Sequence, residues 1–375
     1  MIKIGITGQS GFVGTHLYNT LGLASGLFER IPFDDTFFSS ESKLNEFVQS
    51  CDVIVHLAAM NRHNDPQVIY ETNIGLVKKL ISALENTKSK PHLLFSSSTQ
   101  EERDNPYGKS KREGRELLLN WAKKYNAPFT GFIIPNVFGP FGQPYYNSFI
   151  ATFSHQLTHN ENPIVEIDGM VKLIYVAELV EEIINCIQQK KRVAEYKISH
   201  TSEHKVSEIL NLLKTYKNDY FDNGLLPKLE NSFERNLFNT FRCYINHASF
   251  FPFQLKKNED DRGIFVEVLK SGMGGQVSFS TTKPGITRGN HYHTRKIERF
   301  AVIQGEAIIE FRKIGTKEVI KFSLSGQNPS FVDMPIWFTH NITNVGDKEL
   351  VTIFWINEFY DPEDPDTWFE AVENN

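Results

Sequence analysis

The chain has 375 residues, 40% of them hydrophobic, with 40 Lys and Arg against 45 Asp and Glu and a net charge of -5. That length exceeds what one hydrophobic core usually supports, so two domains are expected, and a near-balance of charge without long runs of either sign argues against a nucleic-acid partner. Cys51, Cys186 and Cys243 lie far apart and form neither a CxxC nor a disulfide framework, which suits free thiols in a reducing cytoplasm; no basic leader and no stretch of about 18 uncharged residues predicts secretion or membrane spanning.

In chain order, "IKIGI", "DVIVHLAA", "HLLFSSS" and "FTGFIIPNVFG" are short and rich in Ile, Val, Leu and Phe, as strands buried on both faces are. Between them, "GFVGTHLYNTLG", "VIYETNIGLVKKLISALENT" and "YGKSKREGRELLLNWAKKY" carry apolar residues at helical spacing. Such alternation predicts a doubly wound parallel sheet of the Rossmann type. "VAELVEEIINCIQQ" and "VSEILNLLKTY" read as further helices. From about Phe250 the texture changes to "FVEVL", "GQVSFSTT", "ERFAVIQGEAIIEF", "VIKFSL" and "LVTIFWINEF", regularly spaced β runs that predict a sandwich or barrel. The boundary is expected within "YINHASFFP", residues 244 to 252, dividing the chain into domains 1-245 and 246-375. "DPEDPDTW" near the end reads as a solvated, turn-forming tail. Most of the 30 phenylalanines fall in strand patterns and are read as core rather than a base-stacking surface.

Gly8, Gly11 and Gly14 in "TGQSGFVG" follow a strand and open a helix. Glycines there let the backbone approach a pyrophosphate, and the helix N-terminus offers free N-H groups. The spacing is GxxGxxG. In "YGKSK", Tyr107 and Lys111 stand one turn apart on one helix face. A lysine beside the phenol and under a nicotinamide lowers the phenol pKa, so the tyrosine can give a proton to a carbonyl oxygen as hydride arrives. Ser98, ending "LLFSSS", is placed to donate to the same oxygen, with Thr99 as the alternative. Asp34 and Asp35 lie about 20 residues past Gly14, where an acid holds the ribose hydroxyl of NAD. Arg30, close by, suits the extra phosphate of NADP, so both nucleotides stay open on this reading.

Residues 1 to about 245 resemble the extended short-chain dehydrogenases/reductases: "TGQSGFVG" matches their TGxxGxxG, "HLAA" (His56 to Ala59) their strand-four motif, and Tyr107 with Lys111 their YxxxK. The resemblance implies a catalytic triad of Ser98, Tyr107 and Lys111 and a cofactor site including Gly8, Gly11, Phe12, Val13, Gly14, Leu57, Ala58 and Ala59. It also implies a nucleotide-sugar pocket around "PNVFGP", with Asn136 toward the substrate, and "LIYVAELV". Ile134 and Pro135 stand where family members carry an Arg, and the segment after the first helix is short.

His291 and His293, two apart on a strand, project to one face about 6 to 7 Å apart at their backbones. Glu298 would arrive from the next strand and His340 from a more distant one, giving three imidazoles and a carboxylate suited to zinc or another borderline divalent metal. Gly285, His291, His293, Glu298 and Gly305 fit the first cupin motif, G-x5-H-x-H-x4-E-x6-G. Pro335, His340 and Asn344 fit most of the second, with Trp337 in place of its usual glycine. Residues 250 to 375 therefore resemble a double-stranded β-helix barrel.

Within that barrel, Asp261, Arg262, Gly263, Phe265 and Glu267, then Arg288, Gly289 and His291, resemble the nucleotide-diphospho-4-keto-sugar epimerases of deoxysugar biosynthesis. There the arginines and the glutamate bind nucleotide and pyrophosphate, which assigns Arg262, Glu267 and Arg288 to substrate. A histidine is the base in those enzymes; here that position, His291, joins the metal set, and Tyr292, Lys296 and Arg288 stay open for proton transfer. The order of the two domains is similar to the bifunctional reductase-epimerases of capsular polysaccharide synthesis in the UDP-N-acetyl-L-fucosamine pathway. That resemblance implies NADPH, zinc, a UDP-linked 4-keto-6-deoxy-N-acetylhexosamine and a homodimer. The alternative is a reductase whose cupin serves as a metal-stabilised dimerisation module.

Overall fold

The computed structural model describes residues 1-375 apart from 256, 261-262, 267, 270-273, 359-360 and 374-375, with the backbone alone described for 257-260 and 263-266. Contacts divide the chain into two compact units, Met1–Thr152 with Val165–Glu208, and Phe153–Ile164 with Ile209–Asn375.

The chain begins β1 (Ile2–Thr7), α1 (Phe12–Leu23), β2 (Phe28–Ile31), α2 (Glu41–Gln49), β3 (Val53–His56), α3 (Pro66–Thr87), β4 (His92–Ser98), α4 (Pro106–Tyr125), β5 (Phe129–Ile134), β6 (Asn136–Phe138), α5 (Phe149–Thr158), β7 (Met170–Tyr175), α6 (Val176–Gln188), β8 (Val193–Lys197), β9 (Ser202–Lys205) and α7 (Val206–Tyr216), of which α5 and α7 belong mostly to the second unit and the rest to the first. Six strands pair in parallel in the order β2-β1-β3-β4-β5-β8. Successive strand residues point to opposite faces, and the two cores follow from this. Val53 and Val55 of β3 join Ile4, Ile6, Leu17 and Ile183 beneath α1 and α6. Ile54 between them joins Leu44, Val77 and Leu118 beneath α2, α3 and α4. The sheet is therefore apolar on both sides, as the unbroken hydrophobic runs predict. Asparagine and proline set where α4 starts: Asn105 caps it, accepting from Gly108 N at 2.7 Å, and Pro106 fills its first turn. "HLAA" follows the third strand in chain order, not a fourth, in keeping with the short segment after α1.

The second unit contains α8 (Ser232–Arg242), α9 (His247–Phe250), β10 (Phe253–Gln254), β11 (Lys257–Asp260), β12 (Gly263–Val266), β13 (Gln276–Thr282), β14 (Thr287–Tyr292), β15 (Glu298–Gln304), β16 (Glu306–Lys313), β17 (Val319–Ser325), β18 (Ser330–Met334), β19 (Phe338–Asn344), β20 (Leu350–Ile356) and β21 (Trp368–Phe369). Two five-stranded antiparallel sheets, β10-β18-β15-β20-β13 and β17-β16-β19-β14-β21, supply its framework.

Two expectations change. The contact division falls at residue 208 and returns 153-164 to the second unit, instead of lying in 244-252. The cause is a buried polar network that binds 209-245 to the sheets. Asp333 accepts from the Tyr220 hydroxyl at 2.5 Å and from Arg299 Nε and Nη2 at 2.8 and 3.0 Å, while Arg299 Nη1 donates to the Gly224 carbonyl at 2.8 Å. The end of the chain also departs from a solvated tail. Asp361 to Asp364 are exposed, but Asp366 is 3% exposed and β21 pairs with β14.

Candidate active site and metal centre

β1 ends at Thr7, and the turn through Gly8 to Gly11 leads into α1, whose N-cap Gly11 brings no side chain to its free N-H groups. Gly8 has φ +70, and a Cβ on Gly14 would lie 2.2 Å from the Gly8 carbonyl oxygen. The turn and the first helical turn can touch only because both lack side chains. His56 closes the strand ends, its Nδ1 2.6 Å from the Thr7 hydroxyl. Burial, then the charge of Lys111, pushes its pKa down to about 3, so this histidine is a neutral structural tie.

One cleft of about 890 Å³ is lined by Gly8, Gly11, Phe12, Val13, Gly14, Leu57, Ala58, Ala59, Ser98, Tyr107, Lys111 and Asn136. Every first-domain residue assigned to catalysis, cofactor or substrate is thus brought together. Ser98 ends β4, whereas Thr99 opens a short 3-10 helix, Thr99–Glu102. Asp35 lines the cleft and accepts from the Ser10 hydroxyl at 3.3 Å; Asp34 caps the next turn through Thr36. Arg30 is folded over the Tyr18 ring, 4.3 Å from its centroid, and donates to the Tyr18 carbonyl at 3.2 Å. Ser10, Asn61 and Tyr146 also line the cleft and escaped the sequence reading, because isolated polar residues in loops carry no period; the Asn61 amide donates to the Tyr146 hydroxyl at 3.1 Å.

Lys111 is 4% exposed and donates to the Ser96 carbonyl at 2.9 Å, with its Nζ 5.8 Å from the Tyr107 ring centroid. Burial lowers its pKa to about 8, with the Glu101 carboxylate opposing. Glu101 is itself held by Arg115 Nε and Nη2 at 2.9 and 2.8 Å. In the cofactor-free chain burial raises the Tyr107 phenol, and Tyr146 adds to it. The ammonium is turned toward the Ser96 carbonyl.

In the second unit, His291, His293, Glu298 and His340 place one ligand atom each within 4.8 Å of all the others. Two sheets contribute. His291 on β14 is paired with His340 on β19, after a bulge at Asn290 with φ +60, and Glu298 opens β15 of the facing sheet. Without the extra residue the alternation of β14 would turn His291 to the other face. Glu298 Oε2 lies 2.9 Å from His293 Nε2 and 3.5 Å from His340 Nε2, and the latter, buried, makes no closer hydrogen bond. Burial, then the neighbouring imidazoles, lowers His291 to about 4, so it is neutral near pH 7. Burial opposes a charge on Glu298 too, but His293 and His340 hold its carboxyl far below the usual range. A neutral His291 imidazole, an ionised Glu298 carboxylate and a bare buried Nε2 on His340 together fit a divalent cation.

Trp337, the departure from the second cupin motif, has φ +62, the backbone that explains the usual glycine. Its N-H donates to the His293 carbonyl at 2.8 Å and its ring stacks on Tyr292 at 5.5 Å. Lys296 Nζ donates to the Pro365 carbonyl at 2.6 Å, and Arg288 Nη1 to the Thr281 carbonyl at 3.0 Å. Phe300, two residues along β15 from Glu298, stacks on Phe354 at 5.3 Å; no motif had flagged that pair. Arg262 and Glu267 lie outside the described residues.

Known proteins place this geometry. Residues 4-199 match the NAD dependent epimerase/dehydratase family, and residues 258-368 match the polysaccharide biosynthesis C-terminal domain. Over 99% of this chain and 99% of the relative, the sequence is 34% identical to UDP-2-acetamido-2,6-beta-L-arabino-hexul-4-ose reductase of Pseudomonas aeruginosa. It is 25% identical to the spore coat polysaccharide biosynthesis protein SpsL of Bacillus subtilis over 30% of this chain and 82% of that one. Among solved structures, the capsular polysaccharide assembling protein CapF of Staphylococcus aureus is 36% identical with a TM-score of 0.62, covering 99% of this chain and all of that one. On its matching sequence, its glycine turn and its Ser98, Tyr107 and Lys111 cleft, the chain belongs to the NAD dependent epimerase/dehydratase family, extended by a polysaccharide biosynthesis C-terminal domain.

Proposed function

We propose that the chain is a bifunctional nucleotide-sugar enzyme of surface polysaccharide synthesis. Its cupin epimerises C-3 of a UDP-4-keto-6-deoxy-N-acetylhexosamine, and its reductase unit converts C-4 to the alcohol of UDP-N-acetyl-6-deoxy-L-talosamine. The carrying observation is full-length similarity to a UDP-linked 4-ulose reductase. In this reading the enzyme works as a cytoplasmic homodimer.

The glycine turn and the free N-H groups at the start of α1 would hold NADPH, which would supply the hydride. Tyr107 gives its proton to the carbonyl oxygen, Ser98 donates a hydrogen bond to that oxygen, and Lys111, buried on the next helical turn, orients the phenol and the nucleotide. The phenol, raised by burial, holds its proton until the oxygen becomes basic enough to take it. Asp35, at the cleft wall, would accept from a ribose hydroxyl, and Arg30, folded over Tyr18, is a cation that would meet an extra phosphate. In the barrel, His291, His293, Glu298 and His340 would hold zinc, a Lewis acid toward a substrate oxygen. A ketone at C-4 acidifies the C-3 hydrogen, so removal and return of that proton invert the centre. Reduction then ends the exchange, because the alcohol no longer enolises.

The engagement of His291 with the other ligands favours the second reading, a monofunctional reductase with a metal-stabilised dimerisation module. Incubating the 4-keto sugar nucleotide in deuterated water with zinc-loaded enzyme separates the two. Bifunctional action gives deuterium at C-3 without NADPH, and NADPH oxidation that Tyr107→Phe abolishes while exchange persists. Oxidation without exchange supports the second reading; neither activity refutes both.

A further inference from the structure

The segment that reads as a loose acidic tail reaches the metal centre. Asp366, 3% exposed and at φ +37, is tied to the turn that joins the ligand strands β14 and β15. Its Oδ1 accepts from the Thr294 amide at 3.0 Å and the Thr294 hydroxyl at 2.7 Å. Its Oδ2 accepts from the amides of Arg295 and Lys296 at 2.9 and 3.0 Å. Three consecutive amides thus close on one carboxylate, in the only stretch of chain between His293 and Glu298. Two flanking bonds repeat the tie: Arg295 Nη1 donates to Asp364 Oδ1 at 3.0 Å and Lys296 Nζ to the Pro365 carbonyl.

The main-chain carbonyl of Asp366 meets the imidazole as well, accepting from His293 Nδ1. A carbonyl oxygen only accepts, so Nδ1 carries a proton, and Nε2, which faces the Glu298 carboxylate 2.9 Å away, is the nitrogen left to meet an ion. One residue therefore fixes both the tautomer of a ligand and the loop that sets the spacing of two ligands from different sheets.

We propose that Asp366 is a positioning residue of the metal centre, anchoring the 294-296 turn through its carboxylate and presenting His293 Nε2 to the ion through its carbonyl. This rests on the cation reading given above. Outer partners of ligating histidines typically change metal affinity about 10- to 100-fold when removed. The carboxylate can be deleted while the carbonyl remains, but without its anchor the carbonyl is no longer held against the ring.

The test uses the full-length chain, zinc competition against a chromogenic chelator, and the visible spectrum of the cobalt-substituted protein. Wild type is expected to hold one zinc per chain. Asp366→Ala should raise the apparent zinc Kd about 10- to 100-fold and change the cobalt band. Asp366→Asn tolerates positive φ and keeps one acceptor, so it should fold in any case and lose affinity to a smaller extent. Folded variants that bind zinc within twofold of wild type with an unchanged cobalt spectrum overturn the proposal, even if their metal-free melting temperature falls. A wild-type chain that takes up no zinc instead removes the cation reading itself.

Discussion

Replacing Lys111 by methionine should make the cofactor-free protein more stable while abolishing its reductase activity. The ammonium is 4% exposed, and its pKa falls from 10.5 to about 8 because burial disfavours the charge. At about 1.4 kcal/mol for each tenfold change in proton affinity, the charged lysine costs the folded state about 3 kcal/mol near neutral pH. Losing the bond to the Ser96 carbonyl removes about 1 kcal/mol, leaving a net gain of about 2 for Lys111→Met. The sign with pH is fixed: between about 8 and 10.5 the unfolded chain binds the proton that the folded chain has released, so wild-type stability rises across that window. The advantage of the variant must shrink over the same window and give way, above it, to a deficit of about 1 kcal/mol from the lost bond. Urea unfolding of wild type and variant side by side, at neutral pH and at an alkaline pH inside the window, cancels every other titrating group. A variant that is less stable at neutral pH, or whose advantage does not change with pH, would refute the reasoning.

Gly14→Ala places a methyl 2.2 Å from the Gly8 carbonyl oxygen, a backbone atom that cannot swing aside. The expected cost is about 1 to 3 kcal/mol, read as nicotinamide nucleotide binding weakened about tenfold or more in a fluorescence titration. Asp333→Ala leaves the 2% exposed Arg299 without its carboxylate and the Tyr220 hydroxyl without its acceptor, which should destabilise the second unit by about 3 to 5 kcal/mol. Calorimetry would show it as a lowered transition, and a shift below 1 kcal/mol would mean the network carries no weight.

Periodic and locally spaced features were legible from the sequence. The parallel strands announced themselves as apolar runs, the glycine turn and YGKSK sit within a few residues of themselves, and three of the four ligand positions lie within eight residues. What stayed hidden depends on partners distant in the chain. Nothing near Tyr220 signals that Asp333 waits 113 residues on, so the boundary was set by the change in texture at residue 250 and not by contacts. Asp366 was misread because Asp-Pro steps do favour turns; whether such a turn is solvated or clamps a buried loop depends on amides 70 to 72 residues earlier. The bulge at Asn290 is likewise invisible in a motif that counts spacing alone. Trp337 was legible as a departure, but its left-handed backbone and its stack on Tyr292 were not.

The path of the chain gives the two units a shared fate during biosynthesis and engineering. Residues 153-164 leave the first unit for the second, 165-208 return, and 209 onward leave again, so the halves are laced together by three crossings, not strung on one tether. A single cut at any peptide bond strands a piece of one half on the other: ending at 208, for example, deprives the Thr158 hydroxyl of the Tyr244 carbonyl it donates to at 3.0 Å. Exchanging the barrel for that of a relative therefore demands that the 153-164 insert travel with it.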